Sequence, residues 1–536
     1  MAADAQKLMQ QFSRMQSQRA EHETHWRDCY KYTYPQRGTA FAGVTSQQQA
    51  QQERAELFDS TCTDAARTLA STLQSGMTPS NSQWLEFKTT GADPVADAWL
   101  SECSAAVWAN IASSNFDCEA FEAILDAVIA GWCCVFVDYD RTRGGFMFQQ
   151  WPIYECFVSS TNGHKVDVIF RKYEMTQAEA VAAFGDKAGE KTKADAEKNP
   201  DKKVSFLHAI YPRNVYLQGG KAARNMPFAS ITVNCEEKII VRESGFHEIP
   251  FAVPRMMRIP GTQYAIGPTS DALPDVKELN ALKRFQKAAA EMAISPPFVA
   301  EDDGVLNPAA GITLGPKRII IANSVDSIKP LATGADFNVS FTSEQRLQAQ
   351  IRRVMMADQL PPVESGQQTA TEVNARLSLI RQQLAPLYGR FQAEYLTPIV
   401  ERCFWIMYRA GALPTPPEQM QNADFTVRYD SPLARAQKMQ EAQALSEFEA
   451  GLGGLVQTFG PEVLDIYDPD AANREKASAL GLPAKVLRSD DDIAALRKQR
   501  SESQQSQQTQ EMQNQVALQA TQAALKQPQA AAAAAA

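Results

Sequence analysis

The sequence has no apolar run of 18 or more residues, whereas a bilayer-spanning helix needs about 20. Its most hydrophobic stretch, Ile124 to Val137, is interrupted by Asp126 and Gly131, so no membrane span is expected. The opening MAADAQKLMQQ lacks the basic segment and apolar core of a secretory signal, and folding in a cytoplasm is expected. Histidine is scarce, with five in 536 residues, and the nine cysteines (29, 62, 103, 118, 133, 134, 156, 235 and 403) contain no C-x-x-C pair. An odd, dispersed set suits neither a disulfide scaffold nor a zinc site, and points to reduced, buried thiols. Basic charge is short as well. The formal net charge is −9, whereas a protein that grips phosphates usually shows a basic excess. The chain does not read as a tight DNA binder, although a conduit, where strong attraction would stall sliding, tolerates such a charge.

What is present is globular: 44% hydrophobic and 21% charged residues, on a chain long enough for two to four domains or subdomains. Residues 1–130 read as mostly helical. Leu8, Phe12 and Met15 recur at steps of four and three, and His22 and Trp26 continue their face. A polar break, Ala42 to Gln52, precedes helices expected from Asp59 to about Met77, Pro94 to Asn110 and Asp117 to Ala130. Short β-branched and aromatic runs follow. Cys133 to Tyr139, Phe146 to Phe148, Val166 to Arg171, Val204 to Ile210, Ile231 to Val233 and Lys238 to Val241 read as strands. The fold class is α+β. Gly185 to Lys203, with six lysines and five acids, reads as a mobile insertion or a solvated helix-loop.

Beyond Pro274 the pattern is strongly helical. Val276, Leu279, Leu282 and Phe285 read as one apolar face, which Pro296 and Pro297 halt. A region with a strand signal at Arg318 to Ala322 separates it from a helix over Glu344 to Asp358, with Leu347, Ile351, Val354 and Met355 together. Val373, Leu377, Ile380, Leu384, Leu387, Phe391 and Tyr395 then predict one long helix to Arg409, bent at Pro386 and Pro398. Such length is natural in a large assembly. Ser501 to Ala530 holds 11 glutamines and the sequence closes on seven alanines, which reads as a peripheral, partly mobile tail.

Chemical motifs are weak. Gly185-Asp-Lys-Ala-Gly189-Glu-Lys191-Thr192 approaches a phosphate loop, but Gly185 stands one position too close and Glu190 separates Gly189 from Lys191. His22, His25 and Cys29 share a helix side without a fourth ligand nearby. Asp138 and Asp140 flank a strand end and read as turn or ion-pair residues, and Cys133-Cys134 lack a base partner. No catalytic, cofactor or metal residue is assigned, and no cofactor is expected. Basic residues are more informative: Lys277, Lys283, Arg284 and Lys287 decorate the first central helix, and Arg346, Arg352 and Arg353 the second. They are solvent-facing, near DNA, or in subunit ion pairs.

The ordered motifs resemble the portal, or head-to-tail connector, family of T7-like short-tailed double-stranded DNA phages. They begin with Trp26-Arg-Asp-Cys-Tyr, Tyr34-Pro-Gln-Arg, Phe58-Asp-Ser-Thr and Leu69-Ala-Ser-Thr-Leu-Gln-Ser-Gly-Met-Thr-Pro79. Ser114-Asn-Phe116, His208-Ala-Ile-Tyr-Pro-Arg213 and Gly261-Thr-Gln-Tyr-Ala-Ile-Gly-Pro268 follow. Thr369-Ala-Thr-Glu-Val373 and Leu384-Ala-Pro-Leu-Tyr-Gly-Arg-Phe-Gln-Ala-Glu394 complete the set. Ala265 departs from the family, whose members tend to carry glycine there, and puts the local turn in question.

The resemblance implies a portal fold with wing, helical stem, clip and helical crown, closed into a ring of usually twelve subunits. Mapped onto this chain, 1–273 is the N-terminal wing and body, 274–296 the first stem helix, 297–332 the clip, and 333–358 the second stem segment. A tunnel loop at 359–370, a long bent helix and wing return at 371–430, a crown at 431–500 and the tail at 501–536 complete the plan. The implied function is a non-enzymatic DNA channel at the unique capsid vertex, at the head-tail junction of the virion, for genome packaging, retention and ejection. Implied partners are terminase, then a tail adaptor and tail proteins, capsid and scaffold proteins, and DNA in transit, with assembly in the bacterial cytoplasm. DNA-channel candidates are Lys283, Arg284, Lys287, Arg346, Arg352 and Arg353, joined in the tunnel loop by Glu364, Gln367 and Gln368. The other readings are a different head-tail or tail-tube structural protein, and a nucleic-acid-processing enzyme.

Overall fold

The computed structural model describes residues 4–38, 41, 47–89, 94–140, 142–163, 165–216, 222–294, 298–300, 328–330, 337–357, 385–417, 425–429, 442–452, 460, 462, 466–479, 492–506, 510, 512, 514 and 517–518. In chain order the helices are α1 (Ala5–Lys31), α2 (Pro35–Gly38), α3 (Gln47–Ala55), α4 (Thr61–Met77), α5 (Pro94–Ala112), α6 (Phe116–Ala130), α7 (Gln177–Phe184), α8 (Glu190–Lys198), α9 (Pro268–Ile294), α10 (Phe337–Val354), α11 (Thr397–Ala410) and α12 (Pro469–Ala479). The strands are β1 (Leu85–Thr89), β2 (Val135–Tyr139), β3 (Phe146–Gln150), β4 (Cys156–Ser159), β5 (Val168–Thr176), β6 (Lys203–Pro212), β7 (Phe228–Asn234), β8 (Ile239–Phe246), β9 (Phe251–Ala252), β10 (Met257–Arg258), β11 (Ala265–Ile266), β12 (Phe298–Ala300), β13 (Ile328–Pro330) and β14 (Phe425–Tyr429). The chain divides into two units, one of residues 1–85, 105–413 and 431–433, the other of 86–104, 414–430 and 434–536.

In the first unit, β4 to β8 form an antiparallel sheet in chain order. Side chains alternate between its two faces, and both faces are apolar. Leu207, Ala209, Ile231 and Val233 pack beneath Leu8, Phe12 and Met15 of α1. Val204, Phe206 and Val241 face the other way, against Ala180 of α7. Burying each large side chain contributes about 1.5–3 kcal/mol, so the period of α1 and the period of the strands select one another. On the α7 face, the His208 ring lies 5.7 Å from Trp151, which stacks on Phe136 of β2 at 4.6 Å. That contact joins the large sheet to the small sheet β3-β2-β9.

The outer edge of β3 is closed by side chains instead of a strand. Asn115 accepts from the Phe148 N–H at 3.0 Å and donates to its carbonyl at 2.7 Å. Glu119 accepts from the Gln150 N–H at 2.6 Å. Both groups stand at the start of α6, where a one-turn spacing matches two residues of strand. Beneath them, Tyr30 donates to Asp126 at 2.8 Å, and Arg37 pairs with the same buried carboxylate at 3.0 Å. Burial nonetheless raises the Asp126 pKa against the pull of Arg37.

Several expectations change. The polar break contains a helix, α3, because glutamine, glutamate, arginine and alanine favour helix without any apolar face. α9 starts at Pro268, not after Pro274. Pro268 suits the first turn, where no backbone donor is needed, and buried Thr269, Ala272, Leu273 and Val276 hold the helix through Pro274. α10 begins at Phe337, seven residues before Glu344. The lysine-rich segment is a helix-loop, not a loose insertion. β1 and β4 were not expected from the sequence. The strand expected at Arg318 to Ala322 lies outside the described residues, as does the part of the long helix before residue 385. From 385 that helix contains a π-turn, Gln392–Leu396, just before Pro398. Pro398 has no N–H and crowds the preceding turn, and the wider turn accommodates it. Thr397 closes the turn by donating its hydroxyl to the Gln392 carbonyl at 2.8 Å.

The second unit pairs β1 with β14, and Trp99 donates to the Pro414 carbonyl at 3.0 Å. Helices at 442–452, α12 and 492–506 are linked by Glu449–Lys476 and Asp470–Arg497 ion pairs.

Candidate functional site

Two helices make the feature that stands apart from the sheets. α9 and α10 run antiparallel: Lys283 pairs with Glu344, and Gln286 donates to Ser340 Oγ at 2.9 Å. Beyond their ends β12 pairs with β13, Phe298 opposite Pro330 and Ala300 opposite Ile328. The hairpin is thus carried on by a two-stranded ladder. Its base is tied to the body by the Phe58-Asp59 motif. Asn280 accepts from the Phe58 N–H at 2.7 Å, and Gln348 donates to Asp59 at 2.9 Å. Lys277 binds Asp28 at 2.7 Å, which raises the lysine pKa.

The basic candidates separate in this frame. Lys283 is held by Glu344 between the helices. Lys287 lies over the Phe58 ring at 5.6 Å, and with Phe341 both line a shallow cleft of about 320 Å³. Arg284, Arg346, Arg352 and Arg353 are exposed. At about 100° per residue, Arg284, Lys287 and Arg352 project to one flat side of the hairpin, the side of Phe58 and Phe341. Arg346 and Arg353 project instead from the edge of α10 that faces away from α9. Glu364, Gln367 and Gln368 lie outside the described residues. Phe58 was read from the sequence only within its motif and Glu344 only as a helix start, and Phe341 was not singled out; the signal for Glu344 was its placement on the α10 face shared with Leu347, Ile351 and Met355.

The apolar face proposed for α9 also separates. Val276 and Leu279 are buried, but Phe285 is 62% exposed. Successive steps of three turn through about 300° each, so Val276, Leu279, Leu282 and Phe285 wind around the helix instead of lining one side.

Other motifs take structural roles. Gly76 leaves room for the Tyr388 hydroxyl, which a Cβ there would meet at 2.2 Å. Gly267 lies against the Val128 carbonyl, 2.5 Å from where a Cβ would be. Tyr264 packs on Trp26 and Trp132 with centroids 5.1 and 5.5 Å away. Arg255, 1% exposed, donates to Glu394 of the π-turn from its backbone N–H, Nε and Nη2, and to Gln263 from Nη1. Ala265 lies in β11 opposite Arg258. Its φ is not positive, so alanine meets no strain there.

The phosphate-loop resemblance has a direct explanation. At the start of α8, the Thr192 N–H and Oγ1 donate to Glu237 at 3.0 and 2.7 Å, and the Lys191 N–H at 3.4 Å. The chain's own carboxylate occupies the position a phosphate would take. Burial pushes the Glu237 pKa up, but the Thr192 hydrogen bonds hold it below its ordinary value. His25 shares a 2.8 Å hydrogen bond with Ser270, with Cys29 Sγ 3.8 Å away, and no metal-binding group of three or more His, Cys, Asp or Glu occurs among the described residues. Asp140 accepts from the Thr142 and Arg143 N–H groups as a turn residue. Cys133 and Cys134 are buried, and burial raises both thiol pKa values.

Similar proteins share most of this length. A probable portal protein of Bordetella phage BPP-1 is 26% identical over 541 residues, covering 95% of this chain and 93% of its own. The portal protein of Salmonella phage epsilon15 is 25% identical over 93% of this chain and 91% of its own. A chain from the neck of an empty GTA particle, solved with C6 symmetry, covers 72% of this chain and 85% of its own, with 12% identity and a TM-score of 0.36. The family of bacteriophage head to tail connecting proteins matches residues 5–487, and the chain belongs to that family.

Proposed function

We propose that this chain is a ring-forming portal subunit of a short-tailed, T7-like double-stranded DNA phage, placed at the unique capsid vertex. The observation that carries this reading is the family match over residues 5–487, with alignment to two phage portal or probable portal proteins across 93% or more of this chain. In this reading α9 and α10 are stem helices, and the ladder β12–β13 is the root of a clip at 297–332. The clip binds terminase during packaging and the tail adaptor afterwards. ATP hydrolysis belongs to terminase; this chain supplies channel and docking surface. The ring holds twelve subunits and contacts capsid and scaffold proteins. DNA passes the flat side that carries Arg284, Lys287 and Arg352, and the tunnel loop at 359–370, with Glu364, Gln367 and Gln368, meets it sterically.

The test is electron microscopy of particles carrying a label on this chain, with mass measurement of the purified protein. One labelled ring per capsid, at the vertex that bears the tail, is expected. Label distributed along the tail, or only a stable 59.1 kDa species in the presence of scaffold, overturns the reading in favour of another head-tail component.

A further inference from the structure

α9 has a second face that its own chain leaves bare. Opposite the side packed on α10, Glu278, Ala281, Phe285, Ala288 and Met292 follow one another at steps of three and four, the spacing of a packing stripe. Phe285 is 62% and Met292 50% exposed. α10 shows the matching pattern on its own outer edge, where Thr342, Arg346, Ala349 and Arg353 recur at steps of four, three and four and are all exposed. Glu278, Arg346 and Arg353 have no ion-pair partner among the described residues. The two edges therefore point in opposite directions, one acidic and apolar, the other basic with small residues.

We propose that a second copy of this chain lays the outer edge of its α10 along the outer edge of α9, with Glu278 set between the neighbour's Arg346 and Arg353. The level of these groups follows from the hairpin itself. The pairs Lys283–Glu344 and Gln286–Ser340 fix an antiparallel register, which puts Thr342 level with Phe285, Arg346 near residue 281 and Arg353 near residue 274. A rotation about an axis parallel to the helices keeps those levels, so a neighbour's α10 arrives in the same register. The Cα of Glu278 then lies about 4.5 Å along the axis from that of the neighbour's Arg346 and about 6 Å from that of its Arg353, at 1.5 Å per residue, within reach of both long side chains. Ala281 and Ala349 leave space for close approach, and Phe285 covers Thr342. Opposed, unlike edges make a heterologous contact, which closes into a ring when the rotation divides a circle. Helices then alternate around one layer, and the flat side with Arg284, Lys287 and Arg352 takes no part in the seam. This inference rests on the ring reading above and names its seam.

The test is a charge exchange between chains. One variant carries Glu278→Arg, the other Arg346→Glu with Arg353→Glu; all three positions are exposed, and circular dichroism and thermal melting check that each chain folds. Each variant alone is expected to need at least about tenfold more protein than wild type for half-assembly at physiological salt. An equimolar mixture is expected to restore assembly, as rings of even subunit number with the two chains alternating. A second measurement joins Phe285→Cys and Thr342→Cys in one otherwise wild-type chain. Mild oxidation should yield a ladder of linked subunits in denaturing gels that neither single variant gives. Wild-type rings with unchanged assembly of both charge variants, or without rescue on mixing, overturn the seam and leave the portal reading standing. A wild-type chain that forms no ring overturns both.

Discussion

His208 makes the stability of this protein sensitive to acid in a calculable way. Its ring packs edge-on against the stacked pair Trp151 and Phe136 and shares a 2.9 Å hydrogen bond with Ser230. Burial, reinforced by Arg171 and Arg242, lowers its pKa from 6.5 to about 3. The unfolded chain therefore binds a proton that the folded chain refuses between those two values. Stability from this group is complete above about pH 6.5 and is lost as pH falls toward about 3. At 1.36 kcal/mol per pKa unit, the full shift gives about 2 kcal/mol lost between pH 8 and pH 5. The ring retains some solvent contact, so about 1–2 kcal/mol is the working figure. His208→Gln keeps a hydrogen-bonding group for Ser230 but does not titrate. Urea unfolding of wild type and variant at pH 8 and pH 5, with equal slopes, isolates the effect. Wild type should lose about 1–2 kcal/mol more than the variant over that interval. Parallel losses would show that the burial of His208 is not what resists protonation.

The Arg255–Glu394 pair predicts an asymmetry. Arg255→Ala leaves Glu394 partly buried without its partner and should cost about 3–5 kcal/mol in denaturant unfolding, whereas Arg255→Met with Glu394→Leu should cost clearly less. Thiol labelling of the native protein should show one fast cysteine per chain, because Cys118 is exposed, Cys235 half-buried and the other seven buried; Cys118→Ser should abolish the fast phase. In the tunnel loop proposed at 359–370, Gln367→Lys with Gln368→Lys should strengthen salt-sensitive retention of packaged DNA, measured as release from filled heads against salt. Deleting residues 364–367 should preserve rings and terminase docking but lower the fraction of stably filled heads. Normal filling and retention in intact rings would remove the loop from the mechanism.

Strands such as Val204 to Ile210 were legible because β-branched and aromatic residues crowd into short runs that no solvated segment needs. α1 was legible because Leu8, Phe12 and Met15 mark a single face. β1 was not, since Leu85-Glu-Phe-Lys-Thr is too short to display a period beside the polar residues before it. The start of α10 was hidden for the opposite reason: Phe337-Asn-Val-Ser-Phe-Thr-Ser is poor helix sequence, held by tertiary contacts such as Ser340 with Gln286. For the candidate site, residue type revealed the basic groups, but only the register between two helices separated the lysine that braces the hairpin from the arginines at its edge. The heptad stripe on α9 was present in the sequence, yet a run of steps of three concealed it by crossing from the buried side to the bare one.

The closure of β3 by Asn115 and Glu119 has a consequence for the life of the chain before assembly. A subunit waiting for its neighbours exposes whatever the ring will later cover, and an open strand edge is the most adhesive surface a protein can offer, since any extended chain will hydrogen-bond to it. Here that edge is sealed within the protomer by two side chains of α6, with no dependence on a neighbour. Nascent copies can then accumulate in a crowded cell without the β3 edge templating a pairing between them. Asn115→Ala would reopen the edge without touching any surface assigned to assembly, and would divert copies into β-rich aggregates in proportion to the time each spends alone.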